Sequence, residues 1–107
     1  NYLRCEILFA AELHPDVRPA DCDEVALRSL AHCILDLTRQ AYRTGGITLD
    51  PNLAAARQAR KEPRRRRRHA VFGAAGRPCP RCGARILRIE SSGRRCYLCP
   101  SCQPEPS

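Results

Sequence analysis

The chain has 107 residues, 43% of them hydrophobic, with five aromatics and no Trp. That length allows one ordinary domain or two very small ones, and so few aromatics exclude a large independent core without an added staple. No apolar run approaches the ~18 residues of a membrane span and nothing at the start reads as a signal peptide, so neither a spanning protein nor a secreted precursor is expected.

The net charge of +8 is unevenly divided. Residues 1–56 carry five Arg against eight acidic residues, and residues 57–107 carry fourteen Lys plus Arg against three. Arg outnumbers Lys eighteen to one. Arg stays charged and forks onto phosphate oxygens, so the basic half points to a polyanion, nucleic acid first; biased base composition and plain solubility are the alternative. Met is absent, at position 1 as elsewhere, and the chain opens directly into a helical pattern. A fragment that lacks an N-terminal part is therefore expected.

Residues 1–43 read as two helices. In the first, Leu3, Ile7, Leu8 and Ala11 recur at helical spacing until His14-Pro15, where the proline biases its predecessor away from the helix. The second opens at Asp21 with Glu24 three positions on, a capping-box arrangement. Its apolar stripe is Leu27, Leu30, Ala31, Ile34, Leu37 and Ala41, and Gly45-Gly46 provides a stop. Two helices with one stripe each cannot enclose a core, so both are expected to pack on something further along or before them.

Residues 47–70 read as a connector. Pro51, Pro63 and the run Arg64–Arg68 break any periodicity, although Leu53–Arg60 could form a short helix. The Arg run reads equally as a mobile phosphate-binding arm and as an inert solvated loop.

From residue 71 the pattern changes. Arg77-Pro78-Cys79-Pro80-Arg81-Cys82-Gly83 precedes a strand-like stretch, Ala84–Glu90; the turn Ser91-Ser92-Gly93 leads into a return strand, Arg94–Leu98. Cys99-Pro100-Ser101-Cys102-Gln103 follows, and residues 104–107 form a tail. Of the eight Cys, five crowd into residues 79–102. Such crowding favours a metal and a reducing, cytoplasmic compartment over a secreted disulfide scaffold.

Cys79-x2-Cys82-x16-Cys99-x2-Cys102 fits a four-thiolate zinc ribbon, each CxxC turn aiming two sulfurs at one ion while the hairpin brings the turns together. Zinc would supply folding free energy that so short a segment lacks. Cys96-x2-Cys99 is also a CxxC, so Cys96 is an alternative to Cys102; the Pro after Cys79 and after Cys99 favours Cys102. A closed thiolate tetrahedron leaves no position for water, so one structural Zn2+ is expected. Cys5, Cys22 and Cys33 read as small buried hydrophobes, and His14, His32 and His69 have no ligand-like spacing. No nucleophile–base constellation is visible, and capping accounts for Asp21, Asp23 and Glu24 better than acid–base chemistry does.

Asn1-Tyr2-Leu3-Arg4-Cys5-Glu6-Ile7-Leu8 resembles the segment after the glycine turn in the helix-two-turn-helix domain of the formamidopyrimidine-DNA glycosylase/endonuclease VIII family. Val71-Phe72-Gly73-Ala74-Ala75-Gly76-Arg77-Pro78-Cys79 is similar to that family's entry into its C-terminal zinc finger, and Gly93-Arg94 through Gln103 to its exit. The resemblance covers nearly the whole chain apart from the Arg-rich connector. Asn-Tyr-Leu-Arg leans toward the endonuclease VIII branch, Leu13-His14-Pro15 toward the other.

The resemblance implies a bifunctional DNA glycosylase and AP lyase that excises oxidised bases, with this chain as its DNA-binding C-terminal part. Asn1 matches the Asn that holds the DNA backbone beside the lesion, and Arg94 the Arg at the hairpin tip that grips phosphate around the flipped nucleotide. Arg4 is expected to assist. From the residues alone, Asn1 reads as a helix cap and Arg94 as a solvated turn residue. The family's nucleophile, an N-terminal Pro followed by Glu in a β-sandwich domain, has no match here, and Ala74 stands where many relatives carry Arg.

The fold class expected is small α+β: a helical pair (a partial helix-two-turn-helix, residues 1–46), an Arg-rich connector (47–70) and a four-Cys zinc-ribbon hairpin (71–103), as a fragment of a larger two-domain protein. The partner expected is double-stranded DNA with oxidised bases or abasic sites, bound by a monomer in a bacterial-type cytoplasm on the nucleoid. The competing class is a non-catalytic zinc ribbon that binds nucleic acid or protein.

Overall fold

The computed structural model describes residues 2–106. Asn1 lies outside the described residues. The elements in chain order are α1 (Tyr2–Ala10), a 3-10 turn (Pro19–Asp21), α2 (Glu24–Thr44), α3 (Pro51–Ala59), α4 (Arg64–Arg68), β1 (Leu87–Ser91) and β2 (Arg94–Leu98). The small α+β architecture read from the sequence is present. Among the described residues no helix is long and apolar enough to cross a membrane.

The first helix is shorter than its apolar pattern suggested. Glu12 takes a left-handed conformation (φ 59°), and Leu13 donates its N–H to the Leu8 carbonyl at 3.0 Å. This wraps the chain back and closes α1 at Ala10, ahead of the His14-Pro15 stop. Its buried residues are Cys5, Glu6 and Phe9, a face different from the expected Leu3–Ala11 stripe. Ile7 and Leu8 line a second contact, an apolar groove bordered by Leu13, Val17 and Leu30.

The second helix corrects the expected cap. Asp23, and not Asp21, is its N-cap, accepting from the Ala26 N–H at 2.7 Å, while Asp21 closes the 3-10 turn and pairs with Arg18 at 3.0 Å. One residue at an N-cap can satisfy only the N–H groups two or three positions on, and the turn at Pro19 delays the helix until Asp23 is in place. Gly45 ends the helix with φ 72°, as the Gly-Gly pair suggested. The covered side follows Ala26, Leu30, Cys33, Leu37 and Ala41. Leu27 and Ile34, expected inside, are 40% and 43% exposed.

The Arg run is a helical turn and not a loop. Pro63 leads into a single helical turn, α4, whose last carbonyl, on Arg68, accepts the N–H groups of Thr48 (2.7 Å) and Leu49 (3.0 Å). The Arg68 side chain turns inward and donates Nη2 to the Gly45 carbonyl at 3.0 Å. It passes so close to Gly46 that a Cβ there would displace the end of the guanidinium, and the φ of 109° at Gly46 itself favours glycine.

The finger hairpin pairs β1 and β2 antiparallel, with Leu87 opposite Leu98 and Ser91 opposite Arg94. Its two-residue turn is Ser92-Gly93, both at positive φ (53° and 75°), the mirror-type turn whose twist matches a hairpin. Cys5 and Phe9 of α1 share one core with Val71, Cys79, Ile86, Cys96 and Cys99. Helix and finger are thus a single packed body.

One charged group sits at their junction. Glu6 is 1% exposed. Its Oε1 accepts from Thr48 Oγ1 (2.8 Å) and Ala70 N (2.6 Å), and its Oε2 from Val71 N (2.8 Å) and Phe72 N (3.0 Å). Every lone pair that a carboxylate can readily use is engaged. Glu6→Ala would leave three backbone N–H groups at this junction without their acceptor, and hydrogen bonds to charged groups are worth ~1.5–3 kcal/mol each. The variant should lose at least about 3 kcal/mol in denaturant unfolding. A loss below about 1 kcal/mol would show that the junction does not depend on this carboxylate.

Candidate metal centre

Two tight turns build the centre. In the first, Cys79 donates its N–H to the Ala84 carbonyl at 2.7 Å, and Gly83 donates back to the Cys79 carbonyl at 2.9 Å. The Arg81 N–H points at the Cys79 sulfur from 3.3 Å. In the second, the Cys102 N–H points at the Cys99 sulfur from 3.4 Å, and Gln103 donates its backbone N–H to the Cys99 carbonyl at 2.9 Å. Backbone N–H groups aimed at sulfur stabilise thiolate character.

The hairpin then brings the turns together. The sulfurs of Cys79, Cys82, Cys99 and Cys102 all lie within 4.8 Å of one another, with Cys82 and Cys99 at 3.4 Å and Cys79 and Cys102 at 4.0 Å. A tetrahedron of Zn–S bonds of ~2.3 Å sets sulfurs about 3.8 Å apart. The donor set fits zinc in number, type and spacing, and these four cysteines hold one structural Zn2+.

The ionisation of Cys82 and Cys102 argues the same way. Hydrogen bonding, first from the Ala84 backbone, draws the Cys82 thiol down to about 7, whereas burial and then the neighbouring thiols push Cys102 up to about 12. Four thiolates cannot share this space without a cation, and metal binding expels their protons.

Cys96 is elsewhere. It is fully buried on β2, and its sulfur lies 3.4 Å from that of Cys5 on α1. The hydrogen bond from Cys96 lowers the Cys5 thiol below its usual range, and the same contact raises Cys96. The Cys5–Cys96 pair is part of the helix–finger core and leaves the metal to Cys102.

Two further contacts tie the metal turns to α1, and neither was read from the sequence. Gln103, completely buried, accepts from the Cys99 N–H (3.0 Å) and donates to the Leu13 carbonyl (2.9 Å). Arg81 lies over the Phe9 ring at 4.5 Å and pairs with Glu12 at 3.3 Å. The only signal for Glu6 was a carboxylate flanked by Cys5 and Ile7 in an apolar stretch; for Gln103 there was none, since its partner is 90 residues away.

Of the residues named for DNA contact, Arg94 is exposed directly after the Ser92-Gly93 turn. Arg4 is half-buried and borders the apolar groove beside α1. An aromatic row links the start of α1 to the finger: Tyr2 stacks on His69 (4.7 Å between centroids), His69 meets Phe72 edge-on (5.5 Å), and Phe72 meets Tyr97 on β2 (5.2 Å).

Comparison with known proteins places this geometry. Residues 76–104 match the family described as the zinc finger found in FPG and IleRS. Endonuclease 8 of Salmonella arizonae is 39% identical over 103 residues, 96% of this chain and 36% of that protein. Endonuclease 8 of Klebsiella pneumoniae is 37% identical over the same shares. Among solved structures, MutM in complex with DNA containing carbocyclic 8-oxo-G superimposes with a TM-score of 0.78 at 27% identity, over 98% of this chain and 36% of that one. Lactococcus lactis Fpg with DNA containing an abasic site gives 0.76 at 27% identity over the same shares. The chain therefore spans about a third of the length of the relatives it matches.

Two substitutions test the ligand set. Cys102→Ser should lose zinc and unfold the finger, because a three-thiolate remnant cannot close the tetrahedron. Cys96→Ser should keep one zinc per chain. Metal analysis that gave the opposite pattern would exchange the two residues.

Proposed function

We infer, for a chain that belongs to the formamidopyrimidine-DNA glycosylase/endonuclease VIII family and is endonuclease VIII-like, that it grips damaged duplex DNA as the C-terminal part of a bifunctional DNA glycosylase and AP lyase. The parent enzyme would excise oxidised bases in base excision repair, acting as a monomer on the nucleoid of a bacterial cytoplasm. Its DNA-binding units would be residues 1–46 as a partial helix-two-turn-helix and 71–103 as the finger, with 47–70 between them and 104–107 as a tail.

The observation that carries this reading is the hairpin tip. Arg94 is exposed on β2 immediately after a two-residue turn, and it has no carboxylate partner among the described residues. At the other end of the same hairpin, Cys99 belongs to the metal centre and Gln103 anchors the chain to α1. A guanidinium held on such a braced arm is preorganised to fork onto phosphate beside an extruded nucleotide. Asn1 and Arg4 would add contacts to the backbone from the start of α1, where the helix dipole favours phosphate.

The chemistry would rest on the N-terminal proline amine that the family uses, which none of these 107 residues supplies. A polypeptide of these residues should accordingly give no covalent adduct when mixed with abasic-site DNA and borohydride. A trapped adduct would move the nucleophile into this chain.

Arg94→Ala should weaken binding to abasic-site DNA by about 1–3 kcal/mol, the range for a charge-assisted contact. It should weaken binding to intact duplex less. Equal losses on the two duplexes would reduce Arg94 to one more surface charge.

A further inference from the structure

We propose that Arg57, Arg65, Arg66 and Arg77 form a discrete seat for one phosphodiester of the DNA backbone, separate from the hairpin tip.

These four guanidiniums come from α3, α4 and the entry to the finger, and they line one concave pocket of about 260 Å3 together with His69 and Phe72. Runs of like charge repel and normally splay into water. Here the opposite has happened: the hydrogen bonds of Arg68 to residues 45, 48 and 49 fix the run as a helical turn, and Arg57 donates Nη1 to the Arg66 carbonyl at 2.6 Å. Arg57, Arg66 and Arg77 are half-buried as a result.

No carboxylate lines the pocket. Glu62, the acid nearest in sequence to the run, is engaged by Arg60 at 2.9 Å. The charges of Arg57 and Arg77 nevertheless reach Glu62, holding its carboxyl below the usual range after the larger effect of Arg60. Among the described residues, the side chains of Arg65, Arg66 and Arg77 make no hydrogen bond or ion pair. Burial holds His69 below the usual imidazole range, so it adds a neutral ring nitrogen rather than a fifth charge.

Four guanidiniums around a pocket with no carboxylate in its lining set up a high potential there, and a tetrahedral oxyanion is the ligand whose acceptors match their forks. The seat lies beside Phe72, whose N–H is held by Glu6 and whose ring meets Tyr97 of the finger. A phosphate bound there would be fixed relative to the hairpin. The lining of the pocket argues for an anion; that the anion is DNA rests on the function proposed above.

The test uses the zinc-loaded 107-residue chain and an intact duplex, titrated at two salt concentrations, with Arg65→Gln, Arg66→Gln, Arg77→Gln, Arg94→Ala and the control Arg64→Gln, an exposed member of the same run outside the pocket. Each phosphate neutralised contributes about 0.9 to the slope of log affinity against log salt. Each pocket variant should lose about tenfold in affinity, as for one charge-assisted bond, and flatten the slope, whereas Arg64→Gln should lose less than about twofold. Equal losses at Arg64 and in the pocket would overturn the seat in favour of diffuse attraction. Inorganic phosphate, followed by amide shifts at residues 72–77, provides the second arm. Shifts abolished by Arg77→Gln, together with unchanged duplex affinity in that variant, would mark a free-anion site and overturn the assignment to DNA. Losses on Arg94→Ala alone would remove the seat and leave the hairpin reading standing. Losses in the pocket alone would keep the seat and remove the hairpin reading.

Discussion

The carboxylate of Glu6 is the interaction on which the arrangement depends. It is a buried carboxylate, which is costly unless hydrogen bonds replace the lost water. Four donors do so, one from Thr48 and three from successive backbone N–H groups at residues 70–72. Those three N–H groups could not converge on one point unless the chain turned there. The charge on α1 therefore dictates how the connector ends and where the finger begins.

Other contacts inherit that geometry. Thr48, held by Glu6, also meets His69 Nδ1 at 2.7 Å, and His69 stacks on Tyr2. The Arg68 carbonyl accepts two N–H groups from the segment after α2, so the end of the Arg run is pinned to the same junction. At the far end of the finger, Gln103 and Arg81 repeat the strategy by tying the two metal turns back to α1. A finger that folds only around its metal would swivel on a flexible linker. Here it is clamped at its entry by Glu6, in its middle by Cys5 against Cys96, and at its exit by Gln103, so the exposed Arg94 keeps a fixed relation to the helices.

The parts legible in the sequence are those governed by local rules. Two CxxC pairs at a hairpin's separation encode the metal ligands, Gly93 marks the tip of the turn, and Gly45 closes α2. What stayed hidden depends on partners distant in the chain. Leu27 and Ile34 have helical spacing with Leu30, yet the helix face that is covered passes through Ala26 and Cys33, because it is α1 that decides which side is inside. The cap slipped from Asp21 to Asp23 because Arg18 and Pro19 engage Asp21 in a turn of their own. Five consecutive Arg promise disorder on charge alone; here the run folds because its own backbone finds acceptors and donors in the segments beside it.

Helix, connector and zinc finger form one body whose geometry the metal helps to hold, and we propose that this body grips DNA. The most direct test is the affinity of the chain for an abasic-site duplex and for an intact duplex, measured before and after zinc is withdrawn with a chelator. The account predicts tighter binding to the abasic duplex while zinc is present, and loss of that preference without it, leaving only weak, salt-sensitive attraction from the Arg side chains. Discrimination between the two duplexes that survives removal of the metal would contradict it.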